Sequence, residues 1–208
     1  MPDSMLNLAA LKETPLQRDP FEHVVVPDFV PAEALQRVME DFPAVSSAGS
    51  YPLQALQGGA AFTALAETLQ GDEMTAAISE KFDISLDGRP TMITVRGQCR
   101  PSDGQIHTDS NGKLVTVLLY LNESWDTGGG RLRLLRSPDD LDDFAVEVPP
   151  AGGTMLAFRC TENAWHGHKS FEGMRRSIQL NWVRDAGYLR KERFRHGVSA
   201  LFKKARFA

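Results

Sequence analysis

The sequence predicts a mainly β fold, a sandwich or barrel with helices packed along one side. From residue 91 onward, short runs rich in β-branched residues recur between clusters of Gly, Pro, Asn and Asp, the spacing of an all-β sandwich or barrel. Helical periodicity is concentrated in the first 90 residues, so helices precede strands instead of alternating with them, which argues against a parallel βαβ sheet. At 208 residues, 42% hydrophobic and 24% charged, the chain is long enough for one sizeable core and has the composition of a globular protein. A single domain over 1–208 is expected, with an N-terminal strand and supporting helices in 1–90, a β core in 91–184 and a basic helix or tail in 185–208.

Residues 21–26 are valine-rich and weakly alternating, which predicts a strand, and Pro27 and Pro31 then punctuate the chain. Leu35, Val38, Met39 and Phe42 follow at helical spacing, with Pro31 in the first-turn position a helix tolerates. Residues 44–59 hold Ser, Gly, Pro and Gln without a period and are expected to be a loop that could line a substrate entrance. Phe62, Leu65, Ala66 and Leu69 form the stripe of a helix closed by Gly71, and Asp72 is placed to cap a second helix carrying Met74, Ile78 and Phe82. The predicted strands are 92–96, 114–121, 131–135, 144–148, 154–158, 164–168 and 175–183.

No apolar run approaches the ~20 residues needed to span a bilayer, and the first twenty residues lack a basic segment followed by an apolar one. The expected location is cytoplasmic. Cys99 and Cys160 form no C-x-x-C pair and are too few to staple a fold, so reduced thiols are expected and a zinc-thiolate site is not. The net charge of -4 conceals a basic tail, residues 184–208 holding eight Lys or Arg against two acids. Leu189, Phe194, Val198, Leu201 and Phe202 are interleaved there at spacings compatible with one helical face, which predicts a helix packed on an acidic body; recruitment of an acidic partner is the alternative. A nucleic-acid partner is not expected, and the oligomeric state is left open.

His107 and Asp109 are two residues apart, so on an extended backbone their side chains share one face and can converge on one ion. A histidine from downstream, His166 or His168, would complete two imidazoles and one carboxylate. That facial triad suits Fe(II) and leaves coordination positions open. An isolated H-x-D is a weak signal. Its weight here comes from the loop before it, the strand with a tyrosine after it, and the second histidine cluster ahead of a strand bearing arginines.

Over residues 91–183 the ordered segments HTDSNGKLVTVLLYLNESW, GGGRLRLL, GGTMLAF and WHGHKSFEGMRRSIQLNW resemble the prolyl-hydroxylase-like branch of the 2-oxoglutarate and Fe(II)-dependent oxygenases. The resemblance implies a double-stranded β-helix, a jelly-roll or cupin-like pair of sheets with the ligands at its open end. It implies that His107, Asp109 and a distal histidine hold Fe(II) and that Tyr120 hydrogen-bonds 2-oxoglutarate. It also implies that Arg176 binds the cosubstrate's distal carboxylate. His166 precedes Arg176 by ten residues, a separation common in the family, which favours it over His168. Arg176 shares strand parity with Ile178, Leu180 and Trp182 on what is expected to be the inward face, and Arg175 is expected to point outward.

The expected activity is hydroxylation of an unactivated C–H of a small-molecule or peptidyl substrate, with O2 consumed and succinate and CO2 released. The alternatives are a non-catalytic module of the same fold that binds a metal or small acid, and a cupin-like dioxygenase without cosubstrate. Arg96, Arg100, Arg131 and Arg159 are candidates for the site mouth. The acidic run at Asp139, Asp140, Asp142 and Asp143 lacks calcium-loop spacing and reads as a solvated loop. Gly128 to Gly130 reads as a turn before a strand.

Overall fold

A computed structural model describes residues 4–192. Its core is two antiparallel sheets facing one another. The larger has the order β1-β7-β4-β9-β3-β2 and the smaller the order β6-β5-β8. The strands are β1 (His23–Val26), β2 (Tyr51–Pro52), β3 (Thr91–Cys99), β4 (Lys113–Tyr120), β5 (Leu132–Leu135), β6 (Phe144–Val148), β7 (Met155–Arg159), β8 (His166–His168) and β9 (Gly173–Val183). His107 adds an isolated antiparallel bridge to His166, so the segment between β3 and β4 runs along the free side of β8. From β3 onward the chain therefore passes repeatedly between the sheets, which is the jelly-roll arrangement that the sequence resemblance implies.

Four helices, α1 (Leu8–Glu13), α2 (Ala32–Glu40), α3 (Ala60–Leu69) and α4 (Asp72–Phe82), cover the outer face of the large sheet. The main core lies between them and that sheet: Val115, Val117 and Leu119 of β4, Ile178, Leu180 and Trp182 of β9, and Phe62, Leu65, Ile78 and Phe82 of the helices are all buried there. A second, smaller core lies between the sheets, built from Tyr120, Leu132, Leu134, Leu156 and Phe158. Alternate residues of β4, β7 and β9 thus enter two different interiors, because a strand presents successive side chains to opposite faces.

The strands fall close to their expected bounds, and α3 and α4 occupy the stripes read from periodicity. Two readings are corrected and one helix is added. Asp72 is the first residue of α4 and Gly71 its N-cap, with no side-chain cap bond. The segment expected to be a loop over 44–59 contains β2 and a 3-10 turn, Leu53–Ala55, and β2 extends the large sheet by pairing Tyr51 with Val95. The α1 helix, too short for a periodic signal, was not anticipated; the Asn7 side chain caps it by accepting from the Ala10 N–H at 3.0 Å.

The acidic loop is held by cations, Asp142 pairing with Arg133 and with Lys169 at 2.8 Å. Residues 186–192 are helical, while Phe194, Val198, Leu201 and Phe202, on which the packed-tail reading rests, lie outside the described residues. No helix among the described residues is long and apolar enough to cross a membrane. Trp182 is fully buried between sheet and helices, with its indole N–H donated to Thr75 Oγ1 at 3.3 Å. Trp182→Ala should therefore cost about 3–5 kcal/mol of unfolding free energy, measurable by chemical denaturation.

Candidate active site

Two backbone hydrogen bonds assemble the site. The His107 N–H donates to the His166 carbonyl and the His166 N–H to the His107 carbonyl, both at 3.0 Å, so residues 59 positions apart become direct cross-strand neighbours. Their rings lie 4.3 Å apart between centroids. Asp109, two residues on, turns to the same point, and the ligand atoms of His107, Asp109 and His166 all lie within 4.8 Å of one another. His168 is outside this group. It shares the inward face of β8, where its Nδ1 meets the Lys169 carbonyl at 2.9 Å.

Each ligand is oriented from behind. His107 Nδ1 sits 2.8 Å from the Gln105 carbonyl and His166 Nδ1 sits 2.9 Å from that of Ala164. A carbonyl only accepts, so Nδ1 carries the proton in both rings and each Nε2 lone pair is free for a metal. Burial, reinforced by His107, pushes the His166 pKa down to about 4, which keeps the ring neutral as a ligand must be.

Asp109 accepts from Lys113 Nζ at 2.6 Å and from Thr116 Oγ1, and Asn181 Nδ2 in turn donates to Thr116 Oγ1 at 2.7 Å. Burial opposes ionisation of Asp109. Lys113, His166 and the bonds from Lys113 and Thr116 outweigh it and hold the carboxyl below its usual range. The same burial, with Asp109 alongside, pushes the Cys160 thiol up to about 12, so it stays an uncharged neighbour.

Further along the space between the sheets, Tyr120, Ser177 and Arg96 form one row across β4, β9 and β3, set by the pairings Tyr120↔Ser177 and Arg96↔Ser177. The Arg175 guanidinium lies 5.3 Å from the centre of the Tyr120 ring and donates from Nε to the Gly130 carbonyl at 2.8 Å. The expected directions of the two arginines are reversed. Arg176 points to the helix side, its guanidinium 5.1 Å from the centre of the Phe42 ring and near the Met39 carbonyl.

The reversal has a physical cause: β9 is buried on both faces. Its apolar residues meet the helices, and its polar residues Arg175, Ser177, Gln179 and Asn181 line the space between the sheets. The sequence reading also missed Ser177 and the part of Gly130, whose carbonyl anchors Arg175. Arg175, Ser177 and Asn181 at alternate positions were the available signal. Gly130 has φ 71° and a Cβ there would lie 2.9 Å from Trp125, so the turn requires glycine.

The remaining candidates separate by location. Arg100 pairs with Asp103 at 3.3 Å on the loop above β3, Arg131 bonds carbonyls of residues 125 and 127, and Arg159 pairs with Glu22 at 3.3 Å on the helix side. His23 is buried against the Phe21 carbonyl; His196 lies outside the described residues.

Two imidazoles and one carboxylate on one face form a donor set suited to Fe(II) with positions left open. The Tyr120 hydroxyl is buried and has no hydrogen-bond partner among the described residues, although the Arg175 cation stands beside it. A donor and a fixed cation converging on one buried spot fit a carboxylate. The residues thus suit both a metal and an organic acid.

The family model for the 2OG-Fe(II) oxygenase superfamily matches residues 98–184, which contain the triad, Tyr120 and Arg175. Over that segment, rather less than half of the chain, the sequence is similar to the 2OG-Fe(II) oxygenase superfamily. The match and the donor set of His107, Asp109 and His166 together support an oxygenase that uses Fe(II), 2-oxoglutarate and O2. No curated protein matches the chain in sequence. Among solved structures, a prolyl-4-hydroxylase from Pseudomonas putida aligns with a TM-score of 0.57 and 17% identity, over 88% of this chain and 96% of that one. A viral collagen prolyl hydroxylase from Paramecium bursaria Chlorella virus-1, in a 2-oxoglutarate complex, aligns at 0.56 and 12% over 80% and 99%. HygX from Streptomyces hygroscopicus, with nickel and 2-oxoglutarate bound, aligns at 0.55 and 14% over 79% and 82%. At these identities the likeness establishes a common fold.

His107→Ala and Asp109→Ala should each abolish stoichiometric iron while leaving the secondary structure intact, as metal analysis and circular dichroism would show. Thr116→Val removes a bond that fixes Asp109 and should weaken iron affinity about ten- to a hundred-fold, read by anaerobic titration.

Proposed function

We propose that this oxygenase hydroxylates an unactivated C–H of a small-molecule or peptidyl substrate, with His107, Asp109 and His166 holding Fe(II) and Arg175 and Tyr120 holding 2-oxoglutarate. The observation that carries the reading is the buried pair of Arg175 and the unpartnered Tyr120 hydroxyl, in the same interior as the triad. Bound Fe(II) and 2-oxoglutarate would supply the oxidising equivalent, with succinate and CO2 released as the substrate gains a hydroxyl.

The chain's own groups have definite tasks in that scheme. His107 and His166 present unprotonated Nε2 atoms because their Nδ1–H groups donate to backbone carbonyls. Lys113, Thr116 and Asn181 keep Asp109 ionised and aimed. Arg175, held by the Gly130 carbonyl, offers a charged planar fork to a carboxylate, and Tyr120 adds a hydroxyl donor. Leu156 and Phe158 belong to the apolar cluster that also holds Tyr120, and the Phe158 ring lies 4.9 Å from that of His166, so the surroundings of both groups are apolar, which strengthens charge-assisted bonds. Ser177 is small and leaves room beside Tyr120.

Hydrogen bonds to a charged group are worth about 1.5–3 kcal/mol, so Arg175→Ala should weaken 2-oxoglutarate binding roughly ten-fold to more than a hundred-fold. Arg175→Lys should restore only part of the loss, since lysine lacks the planar fork. Arg176→Ala should leave 2-oxoglutarate affinity within about two-fold, consistent with the ±0.5 kcal/mol of changes remote from a site. Anaerobic titration of iron-loaded variants measures all three. Equal loss in Arg175→Ala and Arg176→Ala, or none in either, would remove the assignment.

A further inference from the structure

The space between the sheets contains one more cation than the proposed cosubstrate site uses. Arg96 projects into it from β3, in the row that also holds Ser177 and Tyr120. Among the described residues its side chain makes no hydrogen bond and no ion pair. Asp103, an acid that acts on it, is already engaged by the Arg100 side chain at 3.3 Å and by the Arg100 N–H at 3.1 Å. Lys113 is spent on Asp109. Arg175, the neighbouring cation, makes matters worse: it repels Arg96, and burial together with that repulsion lowers the Arg96 pKa against the pull of Asp103. The Arg96 guanidinium keeps some contact with solvent, and Asp103, shared with Arg100, is only a partial counter-charge, so the planar fork is open to a ligand carboxylate.

Two features distinguish Arg96 from the cosubstrate pair. Arg175 and Tyr120 are buried, at 7% and 0% exposure, whereas Arg96 is half-buried and therefore reachable after the deeper pocket is filled. The strand is also irregular immediately beyond it: the pairing of β3 with β9 shifts register between Arg96 and Gln98. The intervening residue is Gly97, where a Cβ would lie 2.6 Å from Val45. Bulges next to sites re-aim the side chains beside them. Four residues on, the Arg100–Asp103 pair begins the segment that leads to His107, so Arg96 stands between the interior and the loop over the metal ligands.

From this placement we infer that Arg96 is a substrate-recognition residue, and that the molecule oxidised is a slender organic acid whose terminal carboxylate pairs with Arg96 while its reacting carbon faces the triad. The inference rests on the 2-oxoglutarate reading above. With Arg175 matched by the cosubstrate's distal carboxylate, Arg96 is the cation left for the substrate, and a neutral analogue of the same shape would leave it unpaired. The row position sets the form of the acid: an anion that reaches Arg96 between the sheets belongs to the end of a narrow molecule.

The test uses protein loaded with redox-inert Zn(II) and saturating 2-oxoglutarate, titrated with trifluoroacetate and, separately, with neutral trifluoroacetamide, both followed by fluorine NMR. Saturable binding of trifluoroacetate at least ten-fold tighter than that of the amide is expected. Arg96→Gln should abolish the difference and Arg96→Lys should keep part of it, while 2-oxoglutarate affinity in both variants stays within about two-fold of the parent, which also shows that they fold. Equal binding of the two probes, no saturable trifluoroacetate binding, or undiminished binding by Arg96→Gln overturns the inference. A loss of 2-oxoglutarate affinity in Arg96→Gln as large as the loss of trifluoroacetate assigns Arg96 to the cosubstrate and overturns it too. If the parent binds no 2-oxoglutarate, the functional reading fails first, and the inference with it.

Discussion

The reciprocal backbone pairing of His107 with His166 is the constraint on which the rest of the site depends. It adds the segment before β4 to the small sheet and fixes the distance between two ligands far apart in sequence. It also sets where Asp109 arrives. Close approach along this line requires small residues: the His168 N–H donates to the Gly104 carbonyl at 2.9 Å, and a Cβ on Gly104 would lie 2.4 Å from His168 Nδ1. The candidate metal site is therefore a property of strand pairing as much as of residue identity.

Much of this was legible in the chain because strand length, turn composition and side-chain period are local. The seven core strands, the α3 and α4 stripes and the convergence of His107 and Asp109 could be read without knowing what packs on what. What could not be read was which interior each face of a strand enters. An apolar face signals burial, and for β9 the sequence reading equated the apolar face with the site. In this architecture the apolar face meets helices, and the face toward the triad is the polar one, carrying Arg175, Ser177 and Asn181. The same ambiguity left Arg96 undistinguished from the other arginines considered for the site mouth, although its parity opposes that of Ile93 and Val95 of the helix-side core. The strand β2 was invisible for another reason: two residues pairing at an edge carry no period.

Burying polar side chains on the inner face is tolerable because they are mostly joined in one connected set. Asn181, Thr116, Lys113 and Asp109 satisfy one another around the metal ligand, and Arg175 is tied to a carbonyl. The buried exception is the Tyr120 hydroxyl, and the half-buried Arg96 guanidinium has no hydrogen bond among the described residues. In a low-dielectric space an unsatisfied group is expensive and a satisfied one rigid. The contrast between finished and unfinished bonding thus marks where the fold itself is served and where small molecules are to be received.

The residues after β9 return to the metal loop. The Tyr188 hydroxyl bonds Ser110 Oγ, and the Tyr188 ring occupies the place where a side chain on residue 112 would stand. Arg184 donates its N–H to the Gly112 carbonyl at 2.9 Å. The turn carrying Asp109 is consequently clamped from outside by the chain's own later segment, and the two are one mechanical part. Evolution cannot lengthen or reshape that turn alone: an insertion near Asp109 needs a matching change around residue 188. Graft or fusion boundaries drawn at the end of β9 would cut through the clamp that aims the carboxylate ligand.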